Sequence, residues 1–567
     1  MSTNTLSVRK IVSRLFELIR FDKKEIGNIY VLAILGGIIQ LSLPLGVQSI
    51  ISFVQAGEIS TSLVILILLV VVGVLVAGYI IIIQKKIIEK IQQKIFIRYA
   101  YEFTEQLPKL DLKSIQSYYL PELINRFFET TSLQKSISKI FLDIPTATLQ
   151  IFFGLILLSF YHPFFIFLSL VLILLVIAII SLTFKKAIET SLDESDYKYK
   201  LAAWIQELAR VLKSFKYSRN TNYHLKKSDE LTTGYLQSRT MHFNVLLIQY
   251  WSLIIFKVLI TFTMLSVGAY LLVNQQLTVG QFIASEIIII TTLSSIEKLI
   301  ATLENVYDAF TSIEKLLKIT ERPKEKQGEI LFTSNAQSHV LYKINNMNFS
   351  FQENTNILNN INLEIQANEK VCIMGNDGAG KSVFLKILSG IYTATKGTVF
   401  VNNIPIQNYS LDSIRDKIGL LTNKQDVFEG TVLDNITLGN DISFDTIYAT
   451  ASQIGLVNFL QELPDGLDTK VQPFGNQLST SAVEKIILLR LLVHEYEIML
   501  MDEPWIRSES NIRTSVIQYL LQQKNQTIIV VSNDEAYASK ADKIIYLNKN
   551  GEVDFTGKWD DFKKRYK

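Results

Sequence analysis

One cysteine in 567 residues, Cys372, leaves no partner for a disulfide within the chain, and nothing in the sequence argues for an oxidising compartment. Excess charge is also missing. Against 56 basic residues stand 53 acidic ones, a formal net charge of +3 that over this length argues for neither nucleic acid nor a polyacidic partner. Lys and Arg are absent altogether from three short segments, near 55–62, at His162 and near 274–276. What fills the chain instead is apolar. A hydrophobic share of 49% and a mean hydropathy of +0.25 are too high for a soluble protein, and the length is too great for one domain.

Uncharged stretches of about 20 residues, enough to cross a bilayer, recur near 29–53, 63–83, 144–161, 163–184, 258–273 and 277–295. Six spans return the chain to its starting side. The segment 85–139 alone holds ten Lys and Arg, so the long charged segments and both termini are expected in the cytosol, with the three Lys- and Arg-free turns outside. Helical periodicity continues through Ile87, Ile88, Ile91 and Ile95, and through Leu201, Ile205, Leu208 and Leu212, which predicts helices running well beyond the membrane. Ahead of the spans, Val8, Ile11, Val12, Leu15 and Ile19 alternate with Arg9, Lys10, Arg14 and Arg20, the pattern of a basic helix lying on a membrane face. No cleaved signal peptide is expected, because the run that follows far exceeds an h-region. Two residues spoil the last spans. Lys257 borders one and is expected to snorkel to the inner interface, while Glu286 lies inside the other, at a depth where a carboxylate must be neutral, paired or wet. Glu286 is therefore a candidate residue of a transport pathway.

The second half is organised around residues 371–390, VCIMGNDGAGKSVFLKILSG. An apolar strand, a loop fitting G-x-x-x-x-G-K-[ST] and an apolar-periodic helix follow in the order that a phosphate-binding P-loop requires. Gly375, Asn376, Asp377, Gly378, Ala379 and Gly380 supply backbone N–H groups, and the helix starting at Lys381, Ser382 and Val383 points its positive end at the same charge. Lys381 is expected on the β- and γ-phosphates of a nucleoside triphosphate, and Ser382 on Mg²⁺. Cys372, on the strand that feeds this loop, reads as a small buried residue. Further on, the apolar strand 498–501 ends in Asp502, Glu503 and Pro504. Asp502 fits a second Mg²⁺ ligand, and Glu503 fits the carboxylate that orients or deprotonates an attacking water.

Six spans with two long excursions, then P-loop and Asp-Glu-Pro, resemble a type I ATP-binding-cassette exporter half-transporter over nearly the whole chain. The resemblance is nearest to haemolysin-type and peptide-secreting members. It implies an α-helical transmembrane domain with cytosolic extensions followed by an α/β P-loop nucleotide-binding domain. The expected boundaries are 1–25 for the N-terminal helix, 26–318 for the membrane domain, 319–339 for a linker containing ERPKEKQGE, and 340–567 for the nucleotide-binding domain. Matches beyond the P-loop are NFSF, which implies that Phe351 stacks on adenine, ELINR at 122–126 and LTVGQF at 277–282.

The departures fall on other motifs. Where the family has L-S-G-G-Q, this chain has Leu478, Ser479, Thr480, Ser481 and Ala482, leaving Ser479 as a phosphate contact. The Q-loop glutamine is replaced by Asn423, with Gln425 two residues on; Glu509 stands for the D-loop aspartate. Asn533 stands for the switch histidine, and none of His162, His224, His242, His339 and His494 can restore it.

The resemblance implies ATP and Mg²⁺ as cofactors, the bilayer of a bacterial cell membrane as surroundings, and a homodimer or a heterodimer with another half-transporter. It suggests, by analogy alone, a periplasmic adaptor protein and a peptide, protein or hydrophobic compound as substrate. The expected function is ATP-dependent export with slow hydrolysis. Two alternatives stay open: an ATP-binding partner subunit of a heterodimeric exporter, and an ATP-gated channel or sensor without sustained hydrolysis. Glu503 argues against the last.

Overall fold

The computed structural model of the chain describes residues 8–57, 61–115, 120–218, 221–333, 340–351, 356–423, 426–505 and 509–566; Gln425 and His339 lie outside the described residues. The chain divides into two compact units, Met1–Leu110 with Ile115–Pro323 and Asp111–Ser114 with Lys324–Lys567.

The first unit is helical. Its elements are α1 (Val8–Phe21), α2 (Lys23–Gln40), α3 (Ser42–Gln55), α4 (Thr61–Gln106), the short α6 (Leu120–Ile124), α7 (Glu129–Ser159), α8 (Pro163–Arg210), the short α9 (Leu212–Lys216), α10 (Tyr223–Val273) and α11 (Val279–Thr320); the short α5 (Leu112–Ile115) falls in the second unit except for Ile115. Among the described residues, six stretches are long and apolar enough to cross a membrane, as the sequence predicts: α2 with α3, α4, the stretch ending in α7, α8, α10 and α11. The first is not one helix, because it breaks at Leu41. At 1.5 Å per residue, the 46 to 51 residues of α4, α8 and α10 span roughly 70–77 Å, more than twice a ~30 Å hydrocarbon core. The surplus is the predicted extension beyond the bilayer. Around the spans the surface is apolar, with Leu75, Leu182 and Phe262 more than two-thirds exposed. Water would penalise such a coat and hydrocarbon would not.

In the extensions, burial returns to the interior: Ile91, Ile95 and Tyr99 of α4 cluster with Tyr307, Ile313 and Leu316 of α11. Polar ties cross the same seam. The buried Glu129 carboxylate accepts from Lys198 Nζ (2.7 Å), Tyr199 OH (2.8 Å) and Ser312 Oγ (2.8 Å), which joins α7, α8 and α11. A buried carboxylate is tolerable on such terms, with a cation and two hydroxyls replacing water. The N-terminal helix differs from expectation in what its apolar stripe meets. Ile11 is buried in the protein core, and Arg14 pairs with both oxygens of Glu102 at 2.7 Å.

The second unit is α/β. A six-stranded sheet has the order β12 (Val553–Gly557), β11 (Lys543–Leu547), β3 (Lys370–Gly375), β10 (Thr527–Val531), β9 (Ile498–Asp502), β6 (Ile418–Leu421), all parallel except the antiparallel edge strand β12. An antiparallel sheet of β2 (Asn356–Gln366), β1 (Val340–Ser350), β4 (Lys396–Val401) and β5 (Ile404–Pro405) lies in the same unit, with the small pair β7 (Gly430–Thr431) and β8 (Lys470–Val471). Every residue of β3 is buried, as a central strand covered on both faces requires. Cys372 is among them, and burial pushes its thiol up to about 12. Residues 324–333, read from sequence as linker, belong to this unit: Gly328 N donates to Tyr409 O, Ile330 N to Asn408 O, and Arg415 forks onto Glu325.

Candidate functional site

The carboxyl end of β3 is where the chemistry gathers. Gly375 closes the strand so near its neighbour that a Cβ there would come within 2.4 Å of Leu547 O. The loop then turns on Gly378 and Gly380, both at positive φ (+82° and +88°), a conformation most side chains resist. Around Gly378 a Cβ would meet nothing within 4 Å, so the loop is open on that side. The helix Lys381–Leu388 starts directly behind it with Gly380 as N-cap and no side-chain cap, leaving its first N–H groups for a ligand. Lys381 is buried. Its Nζ donates to Gly375 O and Asn376 O, each at 2.8 Å, and so lies curled over the loop.

Sheet order brings the second motif alongside. Val531 of β10 pairs with Ile373 on one side and Asp502 on the other, so Asp502 ends its strand two places from the loop. Ser382 is near enough to favour its charged form, as a second ligand of the same cation would be. Burial pushes the Asp502 carboxyl above its usual range, opposed by Ser382, Lys381 and Lys386. Glu503 follows at φ +51°, its N–H held by Val531 O at 2.9 Å. A left-handed glutamate costs of the order of 1 kcal/mol or more, and the turn it makes aims the carboxylate away from the strand into an adjoining cleft. Burial, then the charges of Asp502 and Asp377, push Glu503 upward, while Lys381 pulls it down. The cleft holds about 280 Å³ and is lined by Glu503, Trp505, Arg513, Ser532, Asn533 and Asp534.

Asn533 is thus in the site, but its amide is committed. Oδ1 accepts from Gly375 N (3.2 Å) and Nδ2 donates to Gly375 O (3.3 Å). The same carbonyl takes Lys381 Nζ, so Gly375 is a node joining loop, lysine and asparagine. Ser479 caps the helix Thr480–Leu492, its side chain accepting from Ala482 N at 3.1 Å. Asn423 is exposed in the turn beyond β6. Phe351, half-buried after β1, stands edge-on to Phe349 and Tyr392, with centroids 5.0 and 5.4 Å away. Sequence reasoning missed Arg513, whose guanidinium clamps Asp534 at 2.6 Å, and Trp505, buried against Tyr537. No local motif marks Arg513; a tryptophan directly after Asp-Glu-Pro was the one available signal for the other.

In the helical unit, Glu286 is half-buried, and its Oε1 is enclosed with no hydrogen-bond partner. Lys257 does not serve it. That ammonium pairs with Glu297 at 3.4 Å, about half-exposed.

A P-loop with its acidic strand, in one chain with a six-span bundle, defines a multi-pass membrane protein of the phosphate-binding α/β class. The comparisons name the family: a family model described as ABC transporter matches residues 358–506, and one described as ABC transporter transmembrane region matches residues 26–296. The chain belongs to the ABC transporter family. It is 27% identical over 297 residues to an uncharacterized ABC transporter ATP-binding protein of Bacillus subtilis (strain 168), covering 52% of this chain and 51% of that one. It is 30% identical over 221 residues to the mitochondrial iron-sulfur clusters transporter ATM1 of Candida albicans, covering 38% and 30%. The chain spans about half the length of the curated relatives it matches first. In fold it resembles a bacterial Atm1-family ABC exporter with ATP bound, at TM-score 0.86 and 18% identity, over 96% of this chain and 98% of that one.

Proposed function

We propose that this chain is one half of an ATP-driven exporter in a bacterial cell membrane, working as a dimer whose two α/β units close on ATP. The observation that carries this reading is the convergence of Lys381, Ser382, Asp502 and Glu503 on the end of β3, in a chain that also holds six membrane-length helical stretches among its described residues. The free N–H groups behind Gly380 suit a triphosphate, and Lys381 exchanges loop carbonyls for phosphate oxygens. Ser382 and Asp502 would hold Mg²⁺, which supplies charge neutralisation on the phosphates. Glu503 orients and deprotonates water. Turnover is slow on this reading, because Asn533 spends its amide on Gly375 and the loop around Ser479 lacks the glycines that let backbone approach a phosphate.

That last observation also favours a second reading, in which a different half-transporter supplies the intact loop and this chain is the ATP-binding partner. ATPase of the purified, reconstituted chain separates them: measurable turnover alone supports the homodimer, and turnover only after adding a partner supports the heterodimer. Binding with no turnover in either assembly leaves the ATP-gated alternative. The comparisons lend a periplasmic adaptor no support. Glu286, the only acidic residue in 279–296, is included as a residue of the pathway. Glu286→Gln should alter transport and leave nucleotide binding unchanged; wild-type transport in Glu286→Gln and Glu286→Ala removes it from the pathway.

A further inference from the structure

The break in the first span has an identifiable cause. Pro44 is the third residue of α3 and has no N–H for the carbonyl of Gln40, four residues back. At the break Leu41 N reaches Ile38 O, three residues back, at 3.1 Å, and the ladder resumes with Leu45 N on Leu41 O at 3.3 Å. Inside a membrane such a break persists where the freed backbone is covered by protein or faces a cavity. Here a cavity of about 340 Å³ lies against it, walled by the break, by Gly73 and Gly78 of α4, by Gln150 and Gly154 of α7, and by Thr291 of α11. Counted from the ends nearest the short turns, Gln150 and Thr291 lie ~14 Å and ~18 Å along their helices, about midway through a ~30 Å core.

The polar groups of this cavity are few and connected. Ser295 Oγ donates to Gln150 Oε1 at 2.9 Å, and Gln150 Nε2 donates to Gln40 Oε1. This relay crosses from α11 through α7 to the broken helix and ends on the Gln40 amide, which lines the cavity. Thr292 Oγ1, in a residue 2% exposed, has no partner and is the first atom that a Cβ on Gly154 would meet. Among the described residues, no Asp, Glu, Lys or Arg lines the cavity. A charge placed there would go unpaired, whereas an amide or hydroxyl would find donors and acceptors. Glu286 does not contribute, since helical periodicity puts it on the other side of α11 from Ile288, Thr291 and Ser295.

We propose that this cavity binds a small uncharged molecule, with an apolar body and one amide or hydroxyl group that extends the Ser295–Gln150–Gln40 relay. As the holding place of an exported compound it rests on the export reading; as a binding site it does not. The test uses the full chain in phosphatidylcholine nanodiscs, without nucleotide, and the photoreactive probe 4-benzoylbenzamide, with crosslinks mapped by peptide mass spectrometry. Crosslinks are expected in 37–44, 73–81 and 150–154. Gly78→Leu, which fills space where a Cβ meets nothing within 4 Å, should reduce them about tenfold, the scale of one lost apolar contact set. Gln150→Leu should reduce them several-fold by removing the relay at similar volume. The charged isostere 4-benzoylbenzoate should crosslink there about tenfold less.

Equal crosslinking of the exposed apolar residues of 251–262, equal labelling by the carboxylate, or indifference to both substitutions overturns the site. Nucleotide binding measured on the same samples reports folding of the variants. ATP binding without crosslinks sinks this site alone, and crosslinks without ATP binding sink the nucleotide reading alone.

Discussion

At the P-loop, Lys381 curls over loop carbonyls that a phosphate would replace, and Asp502 and Glu503 end the neighbouring strand, Glu503 lining the cleft beside it. Ser479 and Asn533 differ: the first caps its own helix, and the second holds both edges of Gly375 with its amide. On the proposed reading, the first group serves phosphate and metal and the second stands where the resemblance expects groups that complete or report the γ-phosphate. Binding and turnover would then depend on different residues, carried by different strands and helices, and could be altered separately.

The largest expected effect falls on the binding side. Lys381→Ala removes the only ammonium on the loop and should weaken ATP binding roughly 10²-fold or more, measured by equilibrium binding to the reconstituted chain. Unchanged affinity would erase the contrast at its root. Next, Glu503→Gln should leave affinity intact and lower ATPase by roughly 10²- to 10³-fold. Equal losses in both quantities would mean that Glu503 belongs with binding rather than turnover.

A smaller change is expected when the altered side is restored. Asn533→His together with Thr480→Gly and Ser481→Gly should raise the ATPase of the homodimer about tenfold, the gain expected from recovering a positioned donor. A wild-type rate already matching the triple variant would show that some other group serves the γ-phosphate. The smallest effect is electrostatic. Burial and neighbouring carboxylates raise Glu503, which must be ionised to act as base, so the acid limb of kcat/KM should lie above the ordinary glutamate range. Asp377→Asn removes one of the charges that raise it, so the limb should move to lower pH. A shift the other way would place the titration on a different group.

How far these contrasts could be read beforehand varies by residue. GNDGAGKS was legible because a strand, a tight glycine loop and a helix start are local events, fixed by dihedral preference and by neighbours a few residues away. The apolar stretches were legible for a similar reason, since their length against the bilayer needs no partner to judge. Leu41 was not, because the cost of Pro44 in a membrane helix depends on whether neighbouring helices shelter the freed carbonyl. Arg513 was not, because its partner Asp534 is 21 positions away and belongs to a turn after a different strand.

By itself, then, the sequence determined a P-loop, its acidic strand and six membrane-length apolar segments. Each is set by the chemistry of a short stretch. Tertiary structure alone decided that Asn533, 158 positions from Gly375, would close onto that glycine, because only the order β3-β10-β9 puts the end of β10 beside the loop. It alone decided that Gln40, Gln150 and Ser295 would form one relay beside a broken helix. Strand order and helix packing are settled by which distant apolar faces bury one another, and no stretch of a dozen residues carries that information.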